Sequence, residues 1–200
     1  MTAPSIALLL LASGLSSRFE DGDKLVATLG TTSVLGHIAG LDVSPASQAR
    51  IAIVRPDTPA RRDCLEHTGW VCLDNPSPER GQALALRLGI SHIRQHTQAD
   101  AVLILLADMP FITSAQLTQL TNALTPSCRA VMSSNGTASM PPALFRRPDF
   151  VALEGLTGDT GARGLFHTLD NTVTIDLPVQ ALKDIDTLSD LQSAEASLDG

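Results

Sequence analysis

The sequence predicts an α/β fold, a doubly wound and mostly parallel sheet with helices on both faces, on three observations. Three short apolar runs, at 5–11, 50–54 and 101–107, are bounded by turn residues, as strands buried on both faces are. Segments with helical spacing lie between them. Strand and helix therefore alternate along the chain, which implies parallel strands joined by right-handed crossovers.

The first run, Ile6-Ala7-Leu8-Leu9-Leu10-Leu11, has no basic flank, is too short to span a bilayer and passes straight into polar residues. It reads as a buried strand and not as a leader. Val34, Ile38 and Leu41 recur at steps of four and three, and Leu84, Leu88, Ile90 and Ile93 form a similar face. Thr113-Ser114 followed by Gln116 and by Leu117, Leu120 and Leu124 predicts a capped helix. After Pro126 the pattern loosens. Residues 130–132 predict a strand, 134–142 a loop rich in Ser, Gly and Pro, 173–177 a late strand, and 188–196 a closing helix capped by Thr187 or Ser189. No repeat or linker is visible, so residues 1–200 are expected to form one domain, with ligands bound at the carboxyl ends of its strands.

Composition narrows the partners. Fourteen Lys and Arg against 21 Asp and Glu give a formal charge of −7, with no basic run, which argues against a duplex or membrane surface. Aromatic residues make up 3% of the chain, too few for the stacking platforms that hold single-stranded nucleic acid. Cys64, Cys72 and Cys128 lack metal or disulfide spacing and read as reduced thiols of a cytoplasmic protein. The five histidines, too, lack metal-ligand spacing.

Directly after the first strand comes Leu11-Ala12-Ser13-Gly14-Leu15-Ser16-Ser17-Arg18-Phe19-Glu20-Asp21-Gly22-Asp23-Lys24. Small residues let backbone N–H groups approach an anion. Arg18 offers a bidentate fork and Lys24 a mobile point charge. Neither G-K-[ST] nor G-x-G-x-x-G is present, and a solvated βα loop is the plain alternative. The third apolar run ends in Ala107-Asp108-Met109-Pro110-Phe111. That places a carboxylate where ligands bind, suited to Mg²⁺, which takes one or two carboxylates plus phosphate oxygens; a turn former or helix cap is the alternative role.

The loop resembles the signature L-A-[AG]-G-x-S-x-R-[MF]-G-x-x-K of the molybdenum-cofactor nucleotidyltransferase family, and its cytidylyltransferase-like branch most of all. Leu106-Ala107-Asp108-Met109-Pro110 is similar to the family's metal-binding segment. Asn75-Pro76 with Gly81 through Gly89 resembles its base- and ribose-binding stretch. Met140 through Phe145 matches a wall segment, Leu156-Thr157-Gly158-Asp159-Thr160-Gly161-Ala162-Arg163 its L-x-G-D-x-G-A-R, and Asp184-Ile185-Asp186-Thr187 its D-I-D-T ending. The motifs keep their order from residue 6 to about 192. Two features depart from the pattern: Ser13 stands where relatives carry Ala or Gly, and acidic residues crowd the approach to Lys24.

The resemblance implies a Rossmann-like, nucleotide-diphospho-sugar transferase-like fold and a nucleotidyltransferase. Arg18, Lys24 and Asp108 are the implied catalytic residues. Leu11, Ala12, Ser13, Gly14, Ser16, Ser17, Arg18, Lys24, Asn75, Gly81, Ala83 and Leu84 are implied to bind the nucleotide. Pro141, Gly158, Asp159, Gly161 and Arg163 are implied to bind the acceptor, and Asp108 with Asp186 or Asp184 to hold Mg²⁺. The implied reaction moves CMP from CTP to molybdopterin, with a recipient molybdoenzyme as a partner. A guanylyltransferase for the same cofactor, a nucleotidyltransferase for another phosphorylated acceptor and a molybdopterin-binding chaperone stay open. A sugar-phosphate nucleotidyltransferase shares the fold but fits the G-D-x-G-A-R and D-I-D-T segments poorly.

Overall fold

The structure, a computed structural model, describes residues 4–20, 22–43, 49–158 and 161–198. Its strands are β1 (Ile6–Leu11), β2 (Thr28–Leu29), β3 (Thr32–Ser33), β4 (Ala49–Val54), β5 (Val71–Asp74), β6 (Ala101–Leu106), β7 (Ala130–Ser134), β8 (Ser139–Arg146) and β9 (Thr172–Asp176). The helices are α1 (Val34–Ala39), α2 (Pro59–His67), α3 (Gln82–His96), α4 (Ser114–Ala123), α5 (Phe150–Glu154), α6 (Ala162–Phe166) and α7 (Leu188–Leu198).

Among the described residues, seven strands form one sheet in the order β5-β4-β1-β6-β8-β7-β9. β8 runs against β6 and β7, and the remaining pairings are parallel. Leu9 of β1 pairs with Ile51 of β4 on one side and Ile104 of β6 on the other. Alternation then divides the strand between two cores. Ile6, Leu8 and Leu10 pack with Leu35, Leu117 and Leu120, whereas Ala7 and Leu9 pack with Ile90, Ile93 and Phe150. A strand buried on both faces needs apolar residues at every position, which is why β1, β4 and β6 read so plainly in the sequence. Helix α3 lies so close to β1 that a Cβ at Gly89 would come within 2.2 Å of Leu9 Cδ1.

Several elements differ from the sequence expectation, and three of them show why. β5 is an edge strand whose Val71 is exposed, so it lacks the unbroken apolar run of its neighbours. The loop expected at 134–142 contains the start of β8. Its ladder skips Pro141 and Pro142, since Met132 pairs with Ala143 and Ser133 with Met140; prolines that cannot donate are taken up in this irregularity. Helix α2, headed by Pro59, carries too little apolar periodicity to stand out. The cap expected at Thr113 is present as a reciprocal capping box with Gln116.

From β1 the chain moves outward to β4 and β5, then crosses back to β6 on the other side of β1. The order reverses between β1 and β6, and a crevice opens there at the carboxyl ends of both strands. Leu11 and Leu106 sit side by side at its floor.

Candidate functional site

Three chain segments meet above that floor. The loop after β1 brings Ser13, Gly14, Ser16, Arg18 and Lys24. The turn after β6 brings Asp108. Residues 183–186 are anchored beside it by a hydrogen bond from the Ile185 N–H to the Asp108 carbonyl at 2.9 Å. Ile185 is buried, which fixes the two flanking aspartates at the rim. Asp190 holds the segment from behind, accepting from the Asp186 and Thr187 amides and from the Thr187 hydroxyl. Thr187 in turn caps α7 through the Asp190 amide at 3.2 Å.

At the centre Lys24 Nζ donates to Asp108 Oδ2 and to Asp186 Oδ1, both at 2.7 Å. Arg18 Nη2 pairs with Asp186 Oδ2 at 2.6 Å. Lys24 is 7% exposed and Arg18 open to solvent. Burial by itself would lower the Lys24 pKa. The charges and hydrogen bonds of Asp108, then of Asp186, outweigh it and hold the ammonium above its ordinary range. Asp184 takes no part in these contacts. Loss of solvation, then the neighbouring carboxylates Asp186 and Asp108, raise its carboxyl above the usual value.

The loop is held from below by residues that sequence reasoning missed. Arg61, on α2, is fully buried. Its Nε and Nη2 grip both oxygens of Asp23 at 2.6 and 2.7 Å, and Nη1 donates to the carbonyls of Ala12 at 2.6 Å and Gly14 at 3.0 Å. Nη2 also reaches the Ser16 hydroxyl at 3.2 Å. Asp23 accepts as well from the Leu25 amide. Burial would raise the Asp23 carboxyl, but Arg61 prevails and keeps it below the usual range. Ser16 adopts φ +54°, a left-handed conformation uncommon for a residue with a Cβ. Arg61 shares the buried face of α2 with Leu65; an arginine one helical turn from a core leucine was the available signal.

Two adjoining clefts share Gly14, Leu15, Lys24 and Asp108. The larger, about 280 Å³, is lined by Leu11, Ser13, Pro78, Gly81, Gln82, Ala85 and Leu106 among others. The second, about 230 Å³ and more polar, adds Ser16, Ser17, Arg18 and Asp186. An apolar slot beside a polar one suits a base and ribose joined to a phosphate chain.

Of the residues expected at the nucleotide, Ala12 lies behind the loop, fully buried, and Asn75 donates to Ser13 Oγ at 3.1 Å from an equally buried position. Ala83 and Leu84 do not line the main cleft. Helix α3 starts at Gln82, so Gln82 and Ala85, one turn apart, face it instead. Ala83 and Leu84 border a small side pocket with Arg80, Arg87 and Gly158. Among the acceptor residues, Gly161 packs on Gln82, where a Cβ would come within 2.6 Å of Oε1. Pro141 lies on β8, two residues before Ala143, the partner of Ile104, and so toward the carboxyl end of β6. Arg163 is exposed on α6 and lines neither cleft. Asp159 lies outside the described residues.

Among the described residues no three His, Cys, Asp or Glu side chains converge as a ready metal site. Asp108 and Asp186 do converge on one cation, the Lys24 ammonium. Two carboxylates fit Mg²⁺ when phosphate oxygens complete the shell, and of the three expected ligands these two share a centre, whereas Asp184 does not.

Known proteins match the chain in both sequence and fold. Residues 8–173 match the family described as the MobA-like NTP transferase domain. The purine catabolism protein PucB of Bacillus subtilis (strain 168) is 30% identical over 182 residues, 84% of this chain and 83% of that protein. Rv0371c of Mycobacterium tuberculosis H37Rv superposes with a TM-score of 0.74 at 22% identity, over 96% of this chain and 98% of that one. A nucleotidyl transferase from Methanothermobacter superposes with a TM-score of 0.79 at 15% identity, over 96% of this chain and 97% of that one. With the family match running through most of its length, the chain belongs to the MobA-like NTP transferase domain family and is a nucleotidyltransferase by kind.

Proposed function

We propose that this protein transfers CMP from CTP to a molybdopterin-type acceptor, releasing pyrophosphate, with Mg²⁺ bound by Asp108 and Asp186. The convergence of Lys24, Arg18, Asp108 and Asp186 on one point at the switch of the sheet carries this reading. Each cation there is paired with a carboxylate that a metal would engage. With a nucleotide bound, Lys24 and Arg18 exchange those carboxylates for phosphate oxygens, Lys24 beside the α-phosphate and Arg18 toward the β/γ end.

The acceptor's phosphate attacks the α-phosphorus, and the α–β bridging oxygen leaves with pyrophosphate. No general base is needed, because a phosphate monoester is already anionic at neutral pH. Catalysis rests on positioning and charge neutralisation. Mg²⁺, when bound, stabilises the charge that develops on the leaving pyrophosphate. Lys24 does the same at the transferred group. Gly158 at the side pocket and Gly161 packed on Gln82 support an acceptor entering from the side of α3. The purine catabolism in the Bacillus relative's name supports a recipient molybdoenzyme in that process. A cytoplasmic setting and one domain over residues 1–200 belong to the same reading.

The test is pyrophosphate release from purified protein with Mg²⁺ and molybdenum-loaded molybdopterin, with CTP, GTP, ATP and UTP offered separately. Turnover with CTP above the others is the expected result. A preference for GTP overturns the base, and silence with all four overturns the reaction.

A further inference from the structure

We propose that Arg61, which no motif singles out, is a positioning residue that aims two backbone amides of the β1 loop at the nucleotide; this rests on the nucleotide reading of the cleft above. In a trans peptide unit the C=O of one residue and the N–H of the next point in opposite directions. Arg61 Nη1 holds the carbonyls of Ala12 and Gly14 from beneath the loop. The units they belong to carry the amides of Ser13 and Leu15, which therefore point away from Arg61. Ser13, Gly14 and Leu15 line the cleft on that side. Neither amide donates to a partner among the described residues, so both stay available to an anion or a base edge.

The rest of the guanidinium fits the same role. Five donor contacts leave Arg61 no donor for the ligand itself. Asp23, gripped through both oxygens, is the residue before Lys24, so the clamp also fixes where that lysine starts. Ser16, held at φ +54° between Arg61 and Asp23, is fixed on the other flank. A buried ion pair is weak support for stability, since well-packed apolar groups often serve a core better. What the pair supplies here is one fixed orientation for five consecutive residues, 12–16. Lysine cannot replace the fork, because its single ammonium cannot span Asp23 and two carbonyls at once.

The experiment is a ¹H–¹⁵N correlation spectrum of the intact protein titrated with Mg-CTP, alongside R61K and steady-state kinetics of both. In wild type the Ser13 and Leu15 amides should rank among the largest shifts. R61K should remain folded, lose those two shifts and raise the KM for nucleotide at least tenfold, while the KM for acceptor stays within twofold. A wild type that binds nucleotide with both amides unmoved overturns the clamp without any variant. An R61K protein whose amides and KM respond as in wild type overturns it too. If wild type binds no nucleotide, the reading of the cleft fails and the clamp's purpose with it.

Discussion

The two ends of the sheet handle arginine and aspartate in opposite ways. At the end away from the cleft, arginines tie down backbone. Arg146 donates to the carbonyls of Leu124, Thr125 and Cys128, and Arg147 to those of Arg94 and Ala99 while lying over the Phe150 ring. Arg129 pairs with buried Asp149, and Asp100 accepts from the amide and hydroxyl of Ser5. These contacts close loops by capping backbone carbonyls and pairing buried charge. At the cleft end, Lys24, Arg18, Asp108 and Asp186 pair directly with one another on the wall of an open cleft. On the proposed reading, a bound nucleotide and metal take over these partners. Arg61 shows that the first pattern also serves the second: it ties backbone as Arg146 does, beneath the loop that carries Lys24. Identical chemistry is permanent where it caps carbonyls and exchangeable where it borders a cleft.

Breaking the cleft end should cost activity before stability. Lys24→Ala should lower kcat/KM by about a hundredfold or more, roughly 3 kcal/mol of transition-state stabilisation, with a melting curve that stays cooperative; near-wild-type turnover would remove Lys24 from the chemistry. Asp108→Asn should cost a similar factor at fixed Mg²⁺, partly recovered as the metal concentration rises. A loss independent of metal concentration would assign Asp108 to the turn alone.

The closed end should respond the other way. Arg147→Ala removes two hydrogen bonds to carbonyls and should cost about 1–3 kcal/mol. By calorimetry this corresponds to about 2–4 °C of melting temperature per kcal/mol in a chain of this length, with kcat/KM unchanged below the transition. A kinetic defect without a shift in melting would erase the contrast between the ends.

The smallest effect is a pH dependence. Asp23 titrates below its usual range in the folded chain, so its contribution is complete above about pH 4 and fades as pH falls through the depressed value. Lys24 titrates above its usual range. Its contribution is complete below about pH 10 and fades as pH rises through the raised value. Urea melts of Asp23→Asn across acidic pH should show a shallower acid limb than wild type, and parallel limbs would contradict the assignment.

What the sequence disclosed follows the same division. β1, β4 and β6 were legible because burial on both faces demands continuous apolar residues. β5, half exposed at an edge, and β8, interrupted by Pro141-Pro142, do not obey that demand. At the site, Lys24, Asp108 and Asp186 were visible because each stands in a short local motif. Arg61 was not, because its partners lie 38 to 49 residues away and only folding brings them together. Ala83 and Leu84 were expected at the nucleotide on motif alignment. The helix phase, set by its start at Gln82, gives the main cleft to Gln82 and Ala85.

The most direct test of the central claim follows the label from CTP carrying ³²P at the α-position, with Mg²⁺ and molybdopterin acceptor. The label should pass to the acceptor while unlabelled pyrophosphate appears in equal amount. Release of inorganic phosphate from the γ-position, with the label left on CDP, would place the attack at the wrong phosphorus and contradict it.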